Sequence, residues 1–288
     1  MDLAVVVLIQ ILYAIASLAL ISVGLAIIFG MMGVINFAHG EFLMMGGYAF
    51  ILSVGAGVNF WVAMLVIAPV TVGLVGIIIE RLIIRHLYGR IIETVLATWG
   101  LSLFLIGLAA TVLGYHQKGV APPFGNIEIG PYREGGYTFF VIGITIFVLI
   151  LVYIALRYTK FGLIARGTMQ NADMASALGA GVNRIYAVTF GAGAALSGLA
   201  GAILAPIAGV LPDIGVTYVV KAFITVIGGG TVALSGTGAA SLLFGAVNQA
   251  VTFLSRPVVG EVALLVVAII LLRLLPNGIT GKYFRKGL

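Results

Sequence analysis

The sequence predicts an all-α fold: a polytopic transmembrane helical bundle of about eight spans plus a short broken or re-entrant helix. Three observations carry that reading. Of 288 residues, 62% are hydrophobic and only 8% charged, whereas an ordinary soluble domain carries about 25% charged residues. The apolar residues run in stretches near the ~20 needed to cross about 30 Å of hydrocarbon. The charges gather in a few polar segments between those stretches. A soluble enzyme and a disordered chain are excluded by this composition. The 40 glycines follow no Gly-X-Y period, which excludes collagen.

The elements follow in order. No charged residue lies between Asp2 and Glu41, and the first Lys or Arg is Arg81. Without the basic opening of a cleaved signal peptide, Val5–Phe29 reads as a retained span. Phe42–Val54 is short and glycine-flanked, and Phe60–Ile79 is a full span. The basic loop Glu80–Glu93 follows, then the span Thr94–Leu113. A polar, Pro/Gly-rich loop covers Gly114–Gly136, and Tyr137–Leu156 crosses again. After the polar segment Arg157–Tyr186 come Ala187–Ile207, the short apolar stretch Val216–Ile227, Val232–Leu254 and Val258–Leu275. The basic tail Asn277–Leu288 closes the chain. Nothing suggests a second soluble domain, so residues 1–288 read as a single transmembrane domain.

Positive charge orients the spans. Arg81, Arg85 and Arg90 lie in one loop, Arg157, Lys160, Arg166 and Arg184 in a second, and Arg273 with the tail completes the set. Short loops rich in Lys and Arg stay cytoplasmic. These segments are therefore expected inside, Gly114–Gly136 and the N-terminus outside, and the C-terminus inside. Parity then requires Val216–Ile227 to cross or re-enter. It ends in Gly228-Gly229-Gly230, where regular helix is disfavoured, so a broken helix fits best. Because the basic residues sit between apolar spans, the net charge of +6 marks orientation and no nucleic-acid partner.

No catalytic, cofactor or metal site is read. The chain has no cysteine, which removes disulfides, thiolate metal ligands and a cysteine nucleophile. His39, His86 and His116 form no paired ligand motif. Gly228–Gly238, GGGTVALSGTG, lacks the GK[ST] ending of a phosphate loop; its glycines are expected to break a membrane helix. Gly191–Gly201, GAGAALSGLAG, spaces Gly193, Ser197 and Gly201 four apart, a close-packing pattern for membrane helices. Gly55–Asn59 recurs as Gly179–Asn183, which reads as coincidence in a Gly-, Ala- and Val-rich chain. Lys221 is expected to snorkel to the outer interface, towards Asp213, with a substrate contact as the alternative.

Two segments carry more. In Gly30–Phe42, GMMGVINFAHGEF, the polar Asn36, His39 and Glu41 sit between apolar spans. Either this is a cytoplasmic turn with a capped helix start, or it is a broken helix lining a translocation route. Arg157–Tyr186 is too polar to span. Helical character from Asp173 to Leu178, a C-cap position at Gly179, and Asn183-Arg184 before the next span suggest a compact knob that docks a soluble partner. A solvated connecting loop is the alternative.

Gly24–Glu41, GLAIIFGMMGVINFAHGE, closely resembles the opening of the branched-chain amino acid (LivH-type) permeases of ABC importers. Asp173-Met174-Ala175, followed by Gly179, resembles the EAA loop of such permeases, with Asp for Glu and Met for Ala. Val188–Pro206 and Arg273–Gly278 look like the family too, and the likeness covers essentially the whole chain. The resemblance implies a subunit of an ATP-driven importer in a bacterial or archaeal cytoplasmic (inner) membrane. Its partners would be a second related permease, two ATP-binding subunits and an extracytoplasmic substrate-binding protein, within membrane lipid. ATP and Mg would be held by the partner ATPases. Asn36, His39 and Glu41 would belong to the substrate pathway; Asp173, Ala175, Gly179, Asn183 and Arg184 would couple to an ATPase within a cytoplasmic segment at 157–186. Urea and short-chain amide permeases share the opening motif, and Pro257–Leu271 looks at least as close to them. An ATPase-independent channel, a secondary transporter and a structural membrane subunit are the further alternatives.

Overall fold

The structure, a computed structural model, describes residues 2–230 and 232–284. The helices are α1 (Asp2–Met32), α2 (His39–Gly55), α3 (Phe60–Val62), α4 (Ala68–Leu82) and α5 (Ile91–Leu113). There follow α6 (Gly136–Tyr158), α7 (Lys160–Gln170), α8 (Ala172–Ala177), α9 (Val182–Ala208) and α10 (Ile214–Gly229). The last are α11 (Ala233–Leu254), α12 (Pro257–Leu274) and α13 (Gly278–Phe284). A π turn at Ala63–Ile67 joins α3 to α4. Pro69 has no N–H for the carbonyl four residues earlier, and the wider turn takes up that mismatch. Among the described residues, seven helices are long and apolar enough to cross a membrane. The 17-residue α2 and the 16-residue apolar α10 add to them, in line with about eight spans plus a short interrupted helix.

The Gly114–Gly136 segment contains more than a loop. Strands β1 (Asn126–Ile129) and β2 (Tyr132–Gly135) form an antiparallel hairpin. Each strand has only four residues and none of them is buried, so the Asn-Ile-Glu-Ile alternation of β1 is too brief to stand out in the sequence. The basic tail extends past the described residues, and Arg285 and Lys286 lie outside them.

The chain forms two compact units. One comprises Met1–Ser22, Ala121–Leu149 and Lys221–Leu288. Here α12 lies against α11 at Gly260, where a Cβ would strike Thr252 and the Asn248 carbonyl. Gly245 of α11 meets the backbone of Ile15. Gln249 Nε2 donates to Gln10 Oε1 (3.2 Å) and Gln10 Nε2 to Glu134 Oε1 (2.8 Å), tying α11, α1 and β2 together. Gly229 packs on Gly236, and Thr280 Oγ1 donates to the Gly229 carbonyl at 2.7 Å. The glycine run thus ends α10, as expected, in a close backbone crossing; Thr231 lies outside the described residues. Lys221 Nζ pairs with Glu261 Oε1 at 2.7 Å, correcting the expected approach to Asp213. Eight residues separate Lys221 from Asp213, about 12 Å along a helix, and α12 offers a nearer carboxylate.

The other unit comprises Val23–Val120 and Ile150–Val220. Its central element is α9, the most deeply buried candidate span among the described residues. Lipid tails are as apolar as leucine, so membrane helices associate through close packing of small residues. Gly191, Gly193, Gly198 and Gly201 supply that surface. Gly193 meets Gly24 and Ile28 of α1, Gly198 meets Val72 of α4 and Gly46 of α2, and Gly201 meets the Leu43 backbone. Phe42 and Phe190 stack edge to face, 6.0 Å apart, in a core that includes Ile28, Val72 and Ile79. The small-residue spacing of Gly193, Ser197 and Gly201 is therefore packing. The two GAGVN copies fold differently: Gly57 has φ 88°, while its counterpart Gly181 has φ −75°.

Candidate functional site

The second unit holds a break in the membrane helices. α1 stops at Met32, Gly33 takes φ 64°, and helix resumes only at His39. Asn36, His39 and Glu41 are all completely buried at this break. Asn36 Oδ1 accepts the Ala38 N–H at 3.1 Å and shapes the turn. His39 Nδ1 lies 3.2 Å from Ser197 Oγ, and that hydroxyl also donates to the Gly193 carbonyl at 2.9 Å.

Helix α5 clamps the same segment with residues the sequence reading passed over. Thr98 Oγ1 accepts the Phe37 N–H at 3.2 Å, and Ser102 Oγ donates to Glu41 Oε1 at 2.9 Å. Thr94, Thr98 and Ser102 are four residues apart and buried, while Trp99, Leu103 and Phe104 on the other faces are exposed. A polar stripe at helical spacing within an apolar span was the available signal. A second interruption, between α9 and α10, meets this one. Gly215 in the first turn of α10 packs on Gly40 without room for a Cβ, and Glu41 Oε2 faces Gly215. Nearby, Asp213 accepts the Tyr115 hydroxyl. Asn36 Nδ2, Glu41 Oε2 and the Tyr48 hydroxyl are buried without any hydrogen-bond partner.

The Arg157–Tyr186 segment folds as two short helices and a glycine turn. Thr159 caps α7 by accepting the Gly162 N–H at 3.0 Å, and Asn171 caps α8 by accepting the Met174 N–H at 2.9 Å. At the far end Gly179 has φ 89°. Its N–H bonds to the Ser176 carbonyl and the Ala180 N–H to the Ala175 carbonyl, both at 2.9 Å, the paired bonds of a Schellman cap. Asp173 and Gly179 are exposed and Ala175 is half-buried. Met174 and Leu178 are 58% and 82% exposed, beside an apolar groove between α7 and α8 lined also by Ile164 and Gln170. Solvated loops seldom display such side chains.

Asn183 and Arg184, exposed on the first turn of α9, open onto a separate polar cleft with Glu80, Arg81 and Arg85. Glu80 is completely buried and accepts the Tyr88 hydroxyl. Burial, then that bond, holds the Tyr88 phenol far above its ordinary pKa, so it remains a neutral donor. The sequence signal was an acidic residue closing an apolar span beside two arginines. Among the described residues no group of three or more His, Asp or Glu side chains converges as a metal site.

Long apolar helices, glycine-faced packing and a buried polar break define a multi-pass membrane protein. The chain belongs to the family described as branched-chain amino acid transport system / permease component, which it matches over residues 7–275; these are LivH-type ABC permeases. It is 31% identical to the high-affinity branched-chain amino acid transport system permease protein BraD of Pseudomonas aeruginosa, over 93% of this chain and 92% of that one. It is 29% identical to the corresponding LivH protein of Salmonella typhimurium, with the same coverage. It is 26% identical to the probable LivH permease of Methanocaldococcus jannaschii, over 93% and 90%. Among solved structures, PsaBC from Streptococcus pneumoniae in complex with Fab shares the fold, with TM-score 0.51, 16% identity, and coverage of 96% of this chain and 93% of that one. The chain is thus a permease component of a transport system, a role that implies partner components.

Proposed function

We propose that this chain is the transmembrane subunit of an ATP-driven importer. It moves branched-chain or other amino acids across a bacterial or archaeal cytoplasmic membrane by alternating access. The observation that carries the coupling half of this reading is the exposed, Schellman-capped α8 with its apolar groove. A rigid helix end that displays Met174 and Leu178 suits docking to a cytoplasmic ATPase. Asp173, Ala175, Gly179, Asn183 and Arg184 form the coupling surface, and ATPase motion passes through them to the helices as rigid-body displacement. Two such ATPases hold ATP and Mg. A second related permease completes the membrane pair, and an extracytoplasmic binding protein delivers substrate. The N-terminus lies outside and the C-terminus inside. The substrate class rests on the names of the relatives.

The pathway half of the reading runs through Asn36, His39 and Glu41, since buried polar groups at a helix break usually serve a pathway. A second substrate reading, urea or a short-chain amide, is favoured by the same break, whose side chains offer hydrogen bonds to neutral solutes. Vesicles carrying the assembled importer should take up leucine only with ATP inside. Full-rate uptake by this chain alone, or uptake that follows a gradient and ignores ATP, would replace the importer with a channel or secondary transporter. ATP-dependent uptake of urea without leucine would select the second substrate.

A further inference from the structure

Five buried side-chain polar atoms in the second unit have no partner; beside Glu80 Oε2 and Thr189 Oγ1, three of them, Asn36 Nδ2, Glu41 Oε2 and the Tyr48 hydroxyl, lie at the helix break and along α2. Glu41 and Tyr48 are seven residues apart on α2, two turns along one face, and Asn36 lies in the break that opens it. In folded proteins such atoms are nearly always satisfied. Glu41 is the sharpest case. It is completely buried, and among the described residues the ion pairs are Arg133–Glu128 and Lys221–Glu261, so its carboxylate has no cation. Ser102 holds Oε1 at 2.9 Å, which fixes the group and leaves Oε2 directed at Gly215. A buried carboxylate with one oxygen anchored and one unmatched is an acceptor set in place for a donor from elsewhere. Asn36 Nδ2 is the complement, an anchored donor without an acceptor, because Asn36 Oδ1 is already engaged by Ala38. Tyr48 can serve either way.

We infer that Asn36 Nδ2, Glu41 Oε2 and the Tyr48 hydroxyl form a substrate-reading site along the helix break and α2. It takes a small solute bearing both an N–H donor group and a carboxylate or carbonyl oxygen. Glu41 receives the N–H group and Asn36 the oxygen. An α-amino acid and an amide such as urea share this chemistry, and they differ in whether the N–H group is charged. The inference rests on the pathway reading above and adds to it the atoms that recognise the solute.

The test is equilibrium binding of leucine and of urea to the assembled, detergent-solubilised importer without its extracytoplasmic binding protein, by saturation-transfer NMR. Glu41→Gln keeps the shape and one acceptor but removes the charge. For an ammonium-bearing solute it should weaken binding about 10- to 100-fold, the range for losing a charged hydrogen-bond partner, with urea binding changed far less. If the wild type binds urea alone, the site reads the neutral amide, and Asn36→Asp and Tyr48→Phe should weaken urea instead. A purely structural role would alter both solutes equally or neither. Unchanged affinity in Glu41→Gln and Tyr48→Phe overturns the site, as does binding of neither solute by the wild type. Should Glu41→Gln lower the melting temperature, the isosteric Tyr48→Phe decides alone. ATP-driven uptake by the wild type with unchanged binding in the variants removes the site and leaves the importer. Absence of that uptake removes the importer.

Discussion

Gly179 concentrates the coupling argument in one backbone angle. With φ 89° it closes α8, and an added Cβ would meet open space, so the constraint at this position is conformational and not steric. A β-branched residue held there is strained by about 1–2 kcal/mol. Gly179→Val should therefore loosen the α8 cap while the spans still insert. Substrate-stimulated ATP hydrolysis by the assembled importer should fall to the basal rate, and normal stimulation in that variant would remove Gly179 from the coupling path. The sequence made this residue legible because helix, glycine and polar flank are all local. Asn36, His39 and Glu41 were also visible, as polar letters among apolar ones. Their partners were not. Ser102 and Ser197 lie 61 and 158 residues from the groups they bind, and no local pattern fixes which helix faces which.

At the scale of elements, hydropathy located the helices, since crossing hydrocarbon demands unbroken apolar length. It could not locate the 126–135 hairpin, whose four-residue strands are too short to set up a readable pattern. Nor could it show that Val34, Asn36 and Ala38 are buried, because burial there depends on which other helices cover the segment. The glycines of the membrane helices divide in consequence. A Cβ at Gly201 would fall on the Leu43 backbone, whereas Gly107 in α5 has nothing within 4 Å. Gly201→Leu should destabilise by about 1–3 kcal/mol or more, seen as a lower melting temperature of the purified protein. Gly107→Ala, which only removes backbone freedom, should match or raise the wild-type value by up to about 1 kcal/mol. Equal effects at the two positions would mean that α9 does not pack on α2 as described.

For the whole molecule, the proposed orientation rests on where the cations sit. Arg81, Arg85 and Arg90 share one connection, and Arg157, Lys160, Arg166 and Arg184 share another. The chain has no cysteine, so single reporters can be read without background. Gly125→Cys in the connection between α5 and α6 should react with a membrane-impermeant maleimide in intact cells. Asp173→Cys should react only after permeabilisation. The opposite pattern would invert the topology and move the coupling surface to the wrong side of the membrane for a cytoplasmic ATPase.

The glycine facing of α9 has one further consequence, a mechanical one. Ordinary helices lock by seating side-chain ridges in grooves, and a slide past one another must unseat them. Where Gly198 meets Gly46, and Gly201 meets the backbone of Leu43, the surfaces in contact have almost no ridges. Such a joint resists separation, because the backbones touch, yet offers little friction to translation along itself. α2, which carries Glu41, is therefore held against axial displacement less by its glycine contacts than by three side-chain ties: Phe42 on Phe190, Glu41 on Ser102 and His39 on Ser197.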